Sequence, residues 1–365
     1  MITAGGTGGH VYPALAVAEA LNNLQPGVEL TFVGSAGGFE RPLVAASGVA
    51  FAHYDEVRAG PLHGVGVGRA ARSLVSLAVG TLQALRLVAR HRPQALLLTG
   101  GWVALPTTLA AWLRRVPVMI YLPDIEPGLT IRALRWFARR VAVTAPAACA
   151  HFRPGQAVVT GYPLRSSLRR ATREAAVAHF GLKPDRRTLL VFGGSRGARA
   201  INYALLDIAP ALLEDGVQII HITGTLDWPE LEARWRSLGA PEHYHMFAYL
   251  HEEMGLALAA ADLVVSRAGA SVLGEFPAFG LPAVLIPYPY AWRYQQVNAD
   301  YLAGRGAALR LDEAQMAARL LPTIRELLGD PARLATMRAA AAALAVPDAA
   351  ARAAAELARL AGEGA

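Results

Sequence analysis

Gly5-Gly6-Thr7-Gly8-Gly9-His10, at the very start, and Gly193-Gly194-Ser195-Arg196-Gly197-Ala198-Arg199, just past the middle, decide how this 365-residue chain is read. Each follows a short apolar run, Ile2-Thr3-Ala4 or Leu189-Leu190-Val191-Phe192, and precedes a helical pattern. Each therefore reads as strand, tight turn, helix. Glycine accepts positive φ and lets backbone close on a ligand, while a helix start offers unpaired N–H groups and a partial positive charge. A glycine turn of this kind can serve close packing alone, but its occurrence twice makes both loops candidate diphosphate cradles. Two such units half a chain apart predict two α/β domains facing one cleft, the layout of an enzyme that brings two phosphorylated substrates together.

The loops fit neither common alternative. A Walker loop ends in Gly-Lys-Ser/Thr, and the only lysine here is Lys183. A dinucleotide fingerprint wants a third glycine where the chain has Val11 or Arg199, and an acidic residue closing the next strand, which here ends in Gly34-Ser35. Nicotinamide chemistry is disfavoured.

The length allows two domains with full cores. An apolar share of 54% with 17% charged residues suits a buried parallel sheet. One cysteine, Cys149, excludes an internal disulfide and a thiolate metal cluster and points to a reducing compartment. The chain opens directly on a strand with no signal peptide before it; either that strand is short or the start lies upstream of Met1. The net charge of +7 comes almost wholly from arginine. It is compatible with an anionic ligand or membrane surface. Nucleic acid is not expected as a partner, since there is no aromatic-basic stripe, zinc knuckle or recognition-helix pattern.

Strand signals recur at 30–33, 94–98, 116–121, 141–144 and 156–163, with helical stretches between most of them. A second series runs through 188–192, 218–223, 245–248, 263–266 and 283–287. Such alternation predicts doubly wound parallel sheets. Residues 164–186 read as a connector, and the Ala-rich tail 331–365 as helix broken at Pro347-Asp348. No window reaches about 20 clean apolar residues, so no transmembrane helix is expected. The most apolar window, 73–89, is amphipathic, with Leu74, Leu77, Ala78, Leu82 and Leu85 on one face and Arg69, Arg72, Arg86 and Arg90 flanking it. Trp112-Leu113-Arg114-Arg115 repeats the pairing of apolar and basic residues. Both are either core-facing helices or an interfacial docking patch.

Further motifs are Gly161-Tyr162-Pro163-Leu164-Arg165; Ser266-Arg267-Ala268-Gly269-Ala270-Ser271-Val272-Leu273-Gly274-Glu275; Gly280-Leu281-Pro282-Ala283 leading to Ile286-Pro287-Tyr288-Pro289; and Gln295-Gln296-Val297-Asn298-Ala299. With the two glycine loops, and in the same order and spacing, these resemble the MurG family of glycosyltransferases, which add N-acetylglucosamine to lipid I in peptidoglycan synthesis. The resemblance runs from the first residues to about Ala299.

It implies the GT-B fold, two Rossmann-like doubly wound parallel-sheet domains facing a cleft. An acceptor and membrane-side domain would span 1–162, with the C-terminal helix, about 345–365, packing back on it, and a donor domain 163–344. It further implies inverting transfer from UDP-N-acetylglucosamine to the polyprenyl-diphosphate acceptor lipid I, with no metal or other cofactor, by a peripheral enzyme at the cytoplasmic face of the plasma membrane. Carried over residue by residue, Glu275 would accept from the ribose hydroxyls within the donor stretch Ala270, Ser271, Val272, Leu273 and Gly274. Ser195 and its loop would hold a phosphate, and Arg165 would neutralise the diphosphate. Gln295, Gln296 and Asn298 would read the sugar, and the main chain of His251 the uracil. Thr7, Gly8 and Gly9 would meet acceptor or donor phosphate. His10 is the leading general base, because imidazole titrates near neutrality.

The chain departs from the family at Tyr121-Leu122-Pro123-Asp124, where relatives carry His-Glu-Gln-Asn. Asp124 stands at a position that touches the donor sugar in the family, and an ionised carboxylate can only accept hydrogen bonds. Asp124 is thus a second candidate for the base. A related transferase with another lipid or natural-product acceptor, or a non-catalytic UDP-sugar binder, remain alternatives.

Overall fold

A computed structural model describes residues 1–194, 197–237, 239–290 and 293–363. The chain divides into two compact units, Met1–Arg165 with Asp348–Ala365, and Ser166–Pro347. The first unit runs β1 (Ile2–Thr3), α1 (Gly8–Leu24), β2 (Thr31–Ser35), α2 (Glu40–Ala46), β3 (His53–Val57), α3 (Val67–His91), β4 (Leu96–Leu98), α4 (Ala104–Leu113), β5 (Val118–Leu122), α5 (Leu129–Leu134), β6 (Arg140–Val143) and β7 (Ala157–Val159). The second contains α6 (Ser166–Arg169), α7 (Arg173–Phe180), β8 (Thr188–Phe192), α8 (Arg199–Glu214), β9 (Gln218–Ile222), α9 (Trp228–Ser237), β10 (Tyr244–Phe247), α10 (Met254–Ala260), β11 (Leu263–Ser266) and α11 (Val272–Phe279). It continues through β12 (Ala283–Leu285), α12 (Tyr294–Ala303), β13 (Ala308–Arg310), α13 (Met316–Leu328) and α14 (Pro331–Ala342). The last helix, α15 (Ala349–Gly362), belongs to the first unit.

Both sheets are parallel throughout their described pairings, in the orders β3-β2-β1-β4-β5-β6-β7 and β10-β9-β8-β11-β12-β13. The doubly wound α/β reading holds. Central strands such as Leu96-Leu97-Leu98 are apolar on both faces because helices cover both. In β4, Leu96 and Leu98 join the core shared with α3 and α4, while Leu97 joins Ile2, its partner in register, in the core under α1. Ala353, Ala354, Leu357 and Leu360 of α15 enter that second core, where α15 packs against α1.

Three expectations are corrected. β3 and β13 were not anticipated. Both are edge strands, and the sequence His53-Tyr54-Asp55-Glu56-Val57 buries only Val57 fully, so its hydrophobic signal is weak. The stretch read as a connector holds α6 and α7, the latter capped by Thr172 Oγ1, which accepts Ala175 N–H at 3.2 Å. The apolar window near 73–89 is part of a longer helix, and Gly68–His91 is long and apolar enough to cross a membrane by length and composition. That helix is nevertheless packed on the domain: Ser73, Gly80, Ala84 and Val88 are buried, and Gln83 Oε1 accepts the N–H of Arg58 just beyond β3 at 2.9 Å.

The strand orders position the candidate sites. Around β1 and β4, and again around β8 and β11, successive connections leave in opposite directions, which opens a crevice at the carboxyl ends of the strands. The first glycine loop follows β1 and the second follows β8.

Candidate functional site

At the β1/β4 crevice, Thr7 is extended and α1 begins at Gly8, so the amides of Gly8 and Gly9 head the helix where helical geometry supplies no partner. His10 is half-buried one turn in. Its Nδ1 lies 3.1 Å from Gly5 O and 3.3 Å from Thr7 Oγ1. A carbonyl can only accept, so Nδ1 carries the proton and Nε2 is the basic atom of the neutral ring. Gly100, after β4, lies across that ring at φ +140°; a Cβ there would stand 2.7 Å from His10 Nε2. Thr99 Oγ1 donates to His10 O at 2.8 Å and fixes the first turn.

Burial lowers the His10 pKa from its ordinary 6.5; the nearby Asp124 carboxylate and the Gly5 carbonyl raise it, but burial prevails. The imidazole is therefore neutral near pH 7, the state a proton acceptor needs. Asp124 sits just past β5, half-buried, whereas Tyr121, Leu122 and Pro123 are buried, with Tyr121 Oη bonded to Thr144 Oγ1 at 2.7 Å. Of the four departing residues, Asp124 is the one that reaches the crevice beside His10. Arg165 stacks on Tyr12 of α1, its guanidinium carbon 4.4 Å from the ring centroid.

Sequence reasoning passed over two contributors to this crevice. Gly100 follows an apolar run, and that strand-then-glycine pattern was the available signal. Glu40 gave none: it is 1% exposed at the start of α2, and its Oε1 accepts Gly6 N–H at 3.3 Å across 34 positions of chain. Its carboxylate holds the near side of the first loop.

At the β8/β11 crevice, Ser195 and Arg196 lie outside the described residues. Gly197, at φ +76°, abuts Thr223 O so closely that a Cβ would collide with it. Beneath the loop, Asn202 Nδ2 donates to Thr223 O at 2.8 Å and to Asp227 Oδ2 at 3.1 Å, and Asn202 Oδ1 lies 3.0 Å from His221 Nε2. His221 Nδ1 in turn meets Tyr244 Oη at 2.9 Å. Burial pushes the His221 pKa down to about 3, so its ring stays neutral and closes the network.

The stretch after β11 is folded onto itself. The N–H groups of Val272, Leu273 and Gly274 donate to Gly269 O, Ala270 O and Ser271 O at 3.2, 3.1 and 3.0 Å. Val272 and Leu273 are also buried, and the N–H groups of these three residues shape the turn. Ala270, Ser271 and Glu275 are half-buried, with Glu275 in the first turn of α11. Asn298 is fully buried and donates Nδ2 to Ala268 O at 3.1 Å, which braces the turn. Gln295 Oε1 accepts Tyr288 N–H at 2.9 Å, and Gln296 is half-buried beside it. His251 is exposed, and its N–H donates to Glu253 Oε2 at 3.2 Å. Among the described residues, no three His, Cys, Asp or Glu side chains converge as a metal site.

The amphipathic helix resolves against a purely core-facing role. Leu74 and Leu82 of α3 are 58% and 59% exposed and Trp112 of α4 is 52% exposed, with Val75 and Leu113 also open. Arg69, Arg72, Arg86 and Arg90 of α3 and Arg114 and Arg115 just beyond α4 are exposed, and the two helices pack together.

Residues 1–143 match the glycosyltransferase family 28 N-terminal domain, and residues 188–353 its C-terminal domain. A Roseiflexus protein named UDP-N-acetylglucosamine--N-acetylmuramyl-(pentapeptide) pyrophosphoryl-undecaprenol N-acetylglucosamine transferase is 42% identical, the alignment covering 96% of this chain and 92% of the relative. A protein of the same name from Desulforudis audaxviator is 40% identical over 95% of this chain and 94% of its own. The crystal structure of Acinetobacter baumannii MurG is similar with a TM-score of 0.73 and 27% identity, covering 98% of both chains.

Proposed function

We infer the reaction from one premise: this chain belongs to glycosyltransferase family 28, among the UDP-N-acetylglucosamine--N-acetylmuramyl-(pentapeptide) pyrophosphoryl-undecaprenol N-acetylglucosamine transferases. It transfers N-acetylglucosamine from UDP-N-acetylglucosamine to lipid I. The observation that carries the catalytic assignment is the state of His10: neutral, with Nε2 basic, at the β1/β4 crevice beside Asp124. In this reading the first unit takes the acceptor and the second takes the donor. His10 Nε2 accepts the proton of the acceptor hydroxyl as its oxygen attacks the anomeric carbon from the face opposite UDP. The negative charge of Asp124 stabilises the imidazolium that forms, and its oxygens accept from sugar hydroxyls.

On the donor side, Glu275 accepts from the ribose hydroxyls and Gln295 with Gln296 reads the sugar. Ser195, the second-loop amides and the positive end of α8 hold phosphate. Arg165 meets the charge that develops on the departing diphosphate, where a fixed cation lowers the barrier most. The amides of Gly8 and Gly9, with Thr7, serve the acceptor diphosphate. The test is mass-spectrometric detection of product from a short-chain lipid I analogue with UDP-N-acetylglucosamine, UDP-N-acetylgalactosamine or UDP-glucose. Selective gain of one N-acetylglucosamine is expected; no transfer from any donor by protein that binds UDP would overturn the assignment. Asp124 in place of the family's Asn favours a second reading, an altered donor, and the same panel would show it as preferred transfer of another sugar.

The open apolar faces of α3 and α4 and their arginines are the surface we assign to the anionic cytoplasmic face of the membrane. Burying an apolar side chain contributes about 1.5–3 kcal/mol. Leu74→Ser, Leu82→Ser and Trp112→Ser combined should therefore weaken binding to anionic vesicles by well over tenfold, with UDP affinity unchanged. Undiminished vesicle binding would show that these faces do not meet the membrane.

A further inference from the structure

Arg267 is a buried ionisable side chain in the second unit whose burial the reaction does not explain. It directly follows β11 and is only 8% exposed. A guanidinium so placed is costly unless it is paired and hydrogen-bonded. Its partners come from the two neighbouring strand ends. Nη2 lies 2.5 Å from Glu313 Oε2, beyond β13, and Nη1 donates to Ile286 O at 3.2 Å and Pro287 O at 3.5 Å, beyond β12. Its guanidinium also lies over the Tyr288 ring, 5.1 Å from the centroid. One side chain thus ties together the carboxyl ends of β11, β12 and β13, which are adjacent in the sheet.

The segment it grips ends in the main-chain N–H that meets Gln295. A backbone N–H can only donate, so the Gln295 atom 2.9 Å from Tyr288 N is the amide oxygen. The orientation of this carboxamide is therefore fixed by chemistry. The NH2 group is the end left for a ligand, and it suits an acceptor oxygen, such as a sugar hydroxyl lone pair or an acyl carbonyl.

We propose that Arg267, held by Glu313, is a positioning residue for donor-sugar recognition: it sets the 286–288 segment so that Tyr288 N–H orients the Gln295 amide with its donor end toward the sugar. This rests on the reading that Gln295 meets the donor sugar. Arg267 touches no substrate in this arrangement. Lysine cannot replace it, because one ammonium cannot span a carboxylate and two carbonyls in the guanidinium's planar geometry.

The test compares Arg267→Lys, Glu313→Gln, Gln295→Ala and the double variants Arg267→Lys/Gln295→Ala and Glu313→Gln/Gln295→Ala. The readouts are KM for UDP-N-acetylglucosamine and the inhibition constant of UDP, which lacks the sugar. Each single variant is expected to raise KM about tenfold, the scale of one lost hydrogen bond, while UDP inhibition changes less than about twofold. Each double variant should be no worse than Gln295→Ala alone, because both changes remove the same contact. Additive effects in a double variant, an unchanged KM in the Arg267 and Glu313 variants, or a parallel loss of UDP affinity would overturn the proposal. An unchanged KM in Gln295→Ala alone would instead sink the reading of Gln295 itself. If Arg267→Lys does not fold, Glu313→Gln carries the same comparison.

Discussion

His10→Asn is expected to lower kcat by about 10² to 10⁴-fold, the usual contribution of a general base, with UDP affinity retained. The asparagine amide nitrogen, bonded to Cγ as Nδ1 is, can still donate to Gly5 O, which His10 Nδ1 now meets at 3.1 Å, so the turn survives. What disappears is the basic Nε2. Gly100 packs across the ring, and the smaller asparagine fits the same space. A kcat within a few-fold of the parent enzyme would assign the proton transfer elsewhere, with Asp124 next in line.

Glu275→Gln should raise the KM for UDP-N-acetylglucosamine by about ten- to a hundredfold, since a hydrogen bond to a charged group contributes about 1.5–3 kcal/mol. The carboxylate presents two acceptor oxygens to two hydroxyls, and the amide replaces one of them with a donor. Its place in the first turn of α11 also lets the helix dipole favour the negative charge, a contribution the amide loses. Ribose is remote from the reacting bond and is held equally in ground and transition states, so kcat should change little. A 2′-deoxyribose donor sharpens the test. The parent enzyme should discriminate against it and Glu275→Gln should not; equal discrimination by both would place the ribose elsewhere.

Much of this was legible in the sequence because the central strands and the glycine turns are local signals. Leu189-Leu190-Val191-Phe192 followed by Gly193-Gly194 names a strand and a turn without help from the rest of the chain. Edge strands were less legible: β3 is largely polar, and β13 has three residues, so neither carries the apolar run that burial on two faces imposes. Contacts between residues far apart in sequence were not legible. Glu40 beneath the first loop and the Asn202–His221–Tyr244 network beneath the second are known only once the sheets are assembled. The motif 270–275 and Asn298 illustrate a different limit. Their order along the chain marked a turn after a strand, but the internal bonds by which Val272, Leu273, Gly274 and Asn298 hold that turn are invisible to spacing. Similarly, periodicity found the apolar face of α3 and could not say which way it turned. Small residues, Gly80 and Ala84, take the inward positions and leave Leu74 and Leu82 outside.

With His10 as the base and Asp124 tuning it, the pH dependence of kcat/KM for the parent enzyme and Asp124→Asn reports both roles at once. Burial holds the His10 pKa below 6.5, so the base is deprotonated at neutral pH and the rate should fall only as pH drops through that lowered value. The Asp124 charge raises the His10 pKa. Its removal should therefore shift the acid limb to still lower pH, with activity reduced but present. An acid limb that stays in place, moves upward, or disappears together with activity in Asp124→Asn would contradict the assignment.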